Sequence, residues 1–227
     1  MDRFAYYISA IFNPLFVGIP VMLAIGTAEM GIRWDAAPTV IAAILIMCGV
    51  PTVYVIVLMK KGVFENFHVS DRRQRKYLFP VLIVCFALTV FLLWRDPAIG
   101  RLVVAVLAFG LPNIIVIALI SLRFKVSLHC AGIGGLIPAV AYPFGLAGAI
   151  SGIAALWLTA WSRVRLKEHT LSEVIAGSII GTGAMAAELV WVFGWPWFIE
   201  RSIGRRVCPW RSRFSTRMGF GLPVILL

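Results

Sequence analysis

Apolar runs long enough to cross a bilayer follow one another along most of this chain, and no other feature limits the available folds so sharply. A spanning helix takes roughly 20 mostly apolar residues. Such runs lie at 5–30, 37–59, 77–94, 101–121, 127–143, 145–161 and 171–195. The fifth and sixth share one apolar stretch, which Tyr142-Pro143 and Gly145 divide; undivided, they make six spans instead of seven. With 61% hydrophobic residues, a water-soluble domain would aggregate, whereas lipid solvates such a surface. The expected fold is an all-α, polytopic transmembrane helical bundle of six to seven spans, in an integral protein of the plasma membrane.

The first run is too long and too aromatic for a cleaved signal peptide and reads as a retained span, with a kink expected from Asn13-Pro14 and Pro20. Cys48, Cys85, Cys130 and Cys208 are scattered, with neither a disulfide framework nor zinc-ligand spacing. Residues 1–200 form one membrane domain. Residues 201–227 carry six arginines with little helical periodicity, which predicts a basic tail lying against anionic lipid headgroups. The net charge of +11 has the same explanation, because basic residues flank spans and meet anionic lipid; no nucleic-acid partner is expected. Gly132, Gly134 and Gly135, then Gly145, Gly148 and Gly152, then Gly177 and Gly181, predict close approach of the last three spans.

When seven spans are folded back and forth, the polar segments 60–76, 123–129 and 162–173 each follow an even number of crossings, so they share one membrane face. Basic residues at span ends ordinarily snorkel to headgroups. Here His129 and His169 arise on one face, each beside a serine and a basic residue. If the last span begins near His169, Glu173 is one turn on and shares its helix face. Its carboxylate can hold one imidazole nitrogen and leave the other as a nucleophile. Arg163 offers a planar fork for two phosphate oxygens, Lys125 a point charge, and Ser127 a hydroxyl donor; His129 remains to protonate a leaving alcohol. This set suits phosphoryl transfer, which depends on positioning and charge neutralisation. A metal site would need several converging ligands, and the acids on this face are Glu65, Asp71, Glu168 and Glu173; the metal-free reading fits the pattern better.

Ser162-Arg163, five residues, His169, three residues and Glu173 resemble the third signature of the type 2 phosphatidic acid phosphatase (PAP2) superfamily, in which the last residue is usually aspartate. Lys125-Val126-Ser127-Leu128-His129 is similar to the second signature, usually PSGH, with Val126 and Leu128 at the proline and glycine positions. The first signature is absent in standard form; Asp71 to Pro80, with Arg72 and Arg75, is its best substitute. The resemblance covers roughly residues 60–185. It implies a PAP2-like core, His169 as the nucleophile that becomes phosphohistidine, Glu173 orienting it, His129 as the acid, and Ser127 and Arg163 as phosphate ligands. It also implies a membrane lipid substrate, such as a lipid phosphate or polyprenyl diphosphate, and turnover without a metal or other cofactor.

Twelve basic residues on the polar face against nine on the other put that face in the cytoplasm by the positive-inside rule, whereas the resemblance implies an extracytoplasmic site; both alternatives stand at this level. The alternative function is a non-catalytic lipid-binding or transport protein that retains the fold, favoured by the altered first signature. A channel fits less well, because the polar groups gather at one end of the spans, Glu188 being the main exception.

Overall fold

The computed structural model describes residues 2–67, 69 and 71–193, without the side chains of Asp2 and Arg72. The basic tail expected at 201–227, the end of the expected membrane domain at 194–200, and Cys208 lie outside the described residues. Among the described residues all regular structure is helical. Five helices are long and apolar enough to cross a bilayer, or six if a bent N-terminal pair counts as one span. The chain is an integral membrane protein built as a helical bundle.

The first apolar run forms α1 (Asp2–Ile11) and α2 (Pro14–Met30), bent by 48° at the expected place. Asn13 caps α2 by accepting from the Leu15 N–H at 3.0 Å, and Pro14, which has no N–H to satisfy, opens the helix. Pro20 lies inside α2 without breaking it. A rod from Trp34 to Lys60 follows: a 3-10 turn (Trp34–Ala36), α3 (Ala37–Ile44), a π-helical turn (Leu45–Gly49) and α4 (Val50–Lys60). The wide turn comes just before Pro51, whose ring cannot fit a regular helix without crowding the carbonyl four residues earlier. α5 (Arg72–Arg95) starts on the cap Asp71, which accepts from the Arg73 N–H at 2.9 Å. α6 (Arg101–Ser121) is tied to the end of α2 because Glu29 accepts from the Leu102 N–H at 3.0 and 3.1 Å.

α7 (Leu128–Arg165) is 38 residues long. Were it straight, its ends would lie about 57 Å apart. Instead, Lys125 Nζ just before it donates to the Glu168 carbonyl just after it, at 2.7 Å. The reversal is at Gly145, whose φ of 62° and ψ of −140° leave the helical region for one that glycine reaches without a Cβ clash. Past that point the second arm runs back along the first: a Cβ on Gly152 would sit 3.1 Å from the Ile137 Cα. The arms therefore end together at the polar face.

α8 (Leu171–Phe193) makes the most extensive interface in the bundle, against α7. A Cβ on Gly177 would stand 2.6 Å from the Ser127 carbonyl oxygen, and one on Gly181 would collide with the Ala131 carbonyl. Below this contact, Met185 and Leu189 of α8 enter a core with Tyr142 of α7 and Leu102, Val106 and Phe109 of α6. Gly181→Val should lower stability by about 1–3 kcal/mol, the usual cost of overpacking. Gly183→Val, at a position with nothing within 4 Å of a Cβ, should change it by less than about 0.5 kcal/mol. Thermal unfolding of the two variants in one detergent checks the contrast.

Candidate active site

The link between α7 and α8 is short because α7 ends on its own backbone. The Leu166 N–H donates to Ser162 O, and the Glu168 and His169 N–H groups both donate to Arg163 O at 3.1 and 3.3 Å. Lys167 takes the left-handed conformation, φ 56°, that such a helix exit requires. That tight exit turns His169 inward, and its ring is buried.

α8 then begins with a reciprocal cap. Thr170 Oγ1 accepts from the Glu173 N–H at 3.4 Å, and Glu173 Oε2 accepts from the Thr170 N–H at 3.3 Å. The same Oε2 lies 2.7 Å from His169 Nδ1. A carboxylate so placed takes the Nδ1 proton as its hydrogen bond, which leaves the lone pair on Nε2. Glu173 thus starts its helix and sets the imidazole tautomer at once.

The other residues converge on this pair. Ser127 is fully buried. Its N–H donates to Glu173 O at 3.2 Å, and its hydroxyl caps α7 by accepting from the Cys130 N–H at 3.4 Å. The N-termini of α7 and α8 are therefore side by side, and their dipoles favour an anion between them. Lys125 Nζ, besides its bond to Glu168 O, stands 3.9 Å from Glu173 Oε2. Arg163 is 1% exposed: Nη1 donates to Ser9 Oγ at 2.9 Å, Nη2 is 3.8 Å from Glu168 Oε2, and Nε has no hydrogen-bond partner among the described residues. His129 is buried in the first turn of α7, two residues from Ser127.

Arg75 departs from the outward reach usual for basic residues at span ends. It is 1% exposed, and donates from Nε to Val69 O at 3.1 Å and from Nη1 to Val126 O at 2.7 Å. It clamps the Lys125–Ser127 segment, and its charge reaches Arg163, Glu173 and His169. Two of its donors are committed to carbonyls, so its part is to hold that segment and supply field more than to act as a free ligand. The Arg72 side chain is outside the described residues. Ser9, by contrast, has no place in either signature and is reached only through the tertiary structure. Its trace in the sequence is the spacing Ala5, Ser9, Asn13, the three buried positions of the N-terminal segment.

Among the described residues no three His, Cys, Asp or Glu side chains gather as metal ligands would; Arg163, Arg75 and Lys125 provide positive charge around His169. Comparison of the chain with protein-family models, with curated proteins and with solved structures finds no match.

Burial pushes the His169 pKa down, to about 4; the bond to Glu173 offsets part of this, and the charges of Arg163, Arg75 and Lys125 add to the lowering. The ring is therefore neutral at physiological pH. Its free-chain value is about 6.5, so between there and about 4 the unfolded chain binds the extra proton and stability falls as pH falls. An NMR titration should find the His169 midpoint well below 6.5, the ordinary value. Glu173→Gln should lower it further, since the anion that favours imidazolium is gone while the helix cap is kept. A midpoint at the ordinary value would show a hydrated ring.

Proposed function

We propose that the protein is a metal-independent membrane lipid phosphatase of PAP2-like design, acting through a phosphohistidine at His169. The observation that carries this reading is the 2.7 Å bond from His169 Nδ1 to Glu173, which frees Nε2 for attack, in a buried setting with three cations around it. Three cations against the two carboxylates Glu168 and Glu173 leave a local excess of positive charge, as a phosphate site needs.

In this mechanism the substrate phosphate meets Arg163, Lys125 and the Ser127 hydroxyl, and the Nε2 lone pair attacks phosphorus in line with the ester oxygen. The P–O bond breaks, and His129 gives its proton to the departing alkoxide. A water molecule then attacks phosphorus, with His129 taking its proton; the P–N bond breaks, and inorganic phosphate leaves with the His169 lone pair restored. The helix N-termini and buried cations stabilise charge developing on the non-bridging oxygens. We also propose that each arm of α7 is a separate span, which makes seven crossings with the bent α1–α2 pair as one. The arms are about 26 and 30 Å long at 1.5 Å per residue, and a hairpin of spans returns Arg163 to the face where Ser127 began.

The commitment of Arg75 to two backbone carbonyls favours a second reading, a protein that holds a lipid phosphate without turning it over. Purified protein separates the two. Phosphate release from a lipid phosphate or polyprenyl diphosphate should persist in EDTA, be inhibited by vanadate, and fall by at least about 10³-fold in His169→Ala, as when a covalent nucleophile is removed. Quenched labelled substrate should leave an acid-labile, base-stable phosphoenzyme in the parent and none in His169→Ala. His129→Ala should recover part of its lost rate with a substrate whose leaving group needs no proton. Label persisting in His169→Ala would move the nucleophile elsewhere, and tight binding without release would favour the non-catalytic reading.

A further inference from the structure

The first helix docks on the polar end of α7 through its narrow face. Ala5, Ser9 and Asn13 are the buried positions, four residues apart, while Phe4, Tyr6, Tyr7 and Ile11 stay exposed. Phe4 reaches Trp161 of α7, with ring centroids 5.9 Å apart. At the centre of that face Ser9, with no exposed surface, accepts from Arg163 Nη1 at 2.9 Å. The two residues are 154 positions apart in the chain.

A guanidinium has two forked edges that can grip two oxygens at once: the side edge, Nε with Nη2, and the end, Nη1 with Nη2. Ser9 takes Nη1 and so removes the end fork from use. The side edge remains, with Nε lacking a partner among the described residues and Nη2 held only loosely by Glu168 at 3.8 Å. A buried charged donor without a partner is costly, and a tetrahedral oxyanion supplies two acceptors at that edge. Glu168 Oε2 stands near the place of one of them.

We propose that Ser9 is a positioning residue for oxyanion binding: by holding Nη1 it presents the Nε–Nη2 edge of Arg163 to a phosphoryl group, which makes α1 a working part of the site. This rests on the phosphate-binding part of the function proposed above and adds a residue that neither signature contains. Ser9 touches the arginine and not the substrate. A serine hydroxyl suits the role because it accepts the bond without neutralising the charge; a carboxylate in its place would satisfy the guanidinium and compete with phosphate.

Binding of inorganic phosphate and of orthovanadate to the full-length protein in detergent tests this by calorimetry, without depending on turnover. Ser9→Ala should weaken binding about tenfold, the effect of a lost hydrogen bond to a charged group, with its thermal midpoint close to that of the parent. Ser9→Thr, which keeps the hydroxyl, should restore affinity, and Arg163→Ala should abolish binding. If Arg163→Ala loses binding while Ser9→Ala binds as the parent does, the inference about Ser9 is wrong and the anion site stands. If the parent fails to bind, or Arg163→Ala binds equally well, the phosphate site and the inference both fail. Should Ser9→Ala prove unstable, Ser9→Gly and Ser9→Thr decide: affinity that follows the thermal midpoint through the series, and not the presence of the hydroxyl, would overturn the positioning role.

Discussion

The polar face depends on how closely two backbones approach. Where α8 crosses the first arm of α7, the carbonyls of Ser127 and Ala131 lie against Gly177 and Gly181, in space that any side chain would fill. Both pairs are four residues apart, so one contact sets the register for the next. That register brings the Ser127 N–H to the Glu173 carbonyl at 3.2 Å, one turn above Gly177. Lipid offers no hydrophobic drive for helices to associate, and packing of small residues has to hold them. Separation of the helices by the width of a methyl group would take Ser127 away from the His169–Glu173 pair.

Within that frame, the placement of charge is the unusual feature. Basic side chains at span ends normally reach outward to water and headgroups, as exposed Lys60, Lys61 and Arg73 do. Arg75 and Arg163 instead turn inward and are each 1% exposed, close enough to repel one another. Such an arrangement survives because carbonyls and Ser9 accept hydrogen bonds from them and Glu168 Oε2 stands 3.8 Å from Arg163, and because burial strengthens every favourable partner as well as the repulsion. The same surroundings keep His169 neutral, so one environment provides both anion attraction and a free imidazole lone pair.

Local rules made part of the site legible. His169 and Glu173 are four apart, and residues at that spacing meet on a helix face whatever lies around them. Thr170 and Glu173 form a capping box, and a glutamate, one methylene longer than the aspartate of the resembled signature, reaches back to both the Thr170 N–H and the imidazole. The break in the long apolar stretch was legible from Tyr142-Pro143 and Gly145, and the structure puts the non-helical residue at Gly145. Ser9 and the depth of Arg75 were not legible. A serine in an apolar helix and an arginine in a basic stretch carry no local mark of partners 154 and 51 residues away.

The sequence by itself determined that the chain lies in a membrane as helices, roughly where the spans lie, that it bends at Asn13-Pro14 and breaks near Gly145, and that an imidazole would be paired with a carboxylate at the head of α8. These follow from hydropathy, proline and glycine geometry, capping and helical spacing, all of which act over a few residues. The sequence missed the π-helical turn at Leu45–Gly49 and the start of α5 at Arg72, inside the stretch expected to be a polar loop. Only the tertiary structure decided that the reversal at Gly145 sets both ends of α7 beside α8, that Arg75 clamps the Ser127 segment, and that α1 delivers Ser9 to Arg163. Those outcomes depend on which helix faces touch and at what depth, and the interactions that settle them, close backbone packing and buried hydrogen bonds between distant residues, exist only once the helices are assembled.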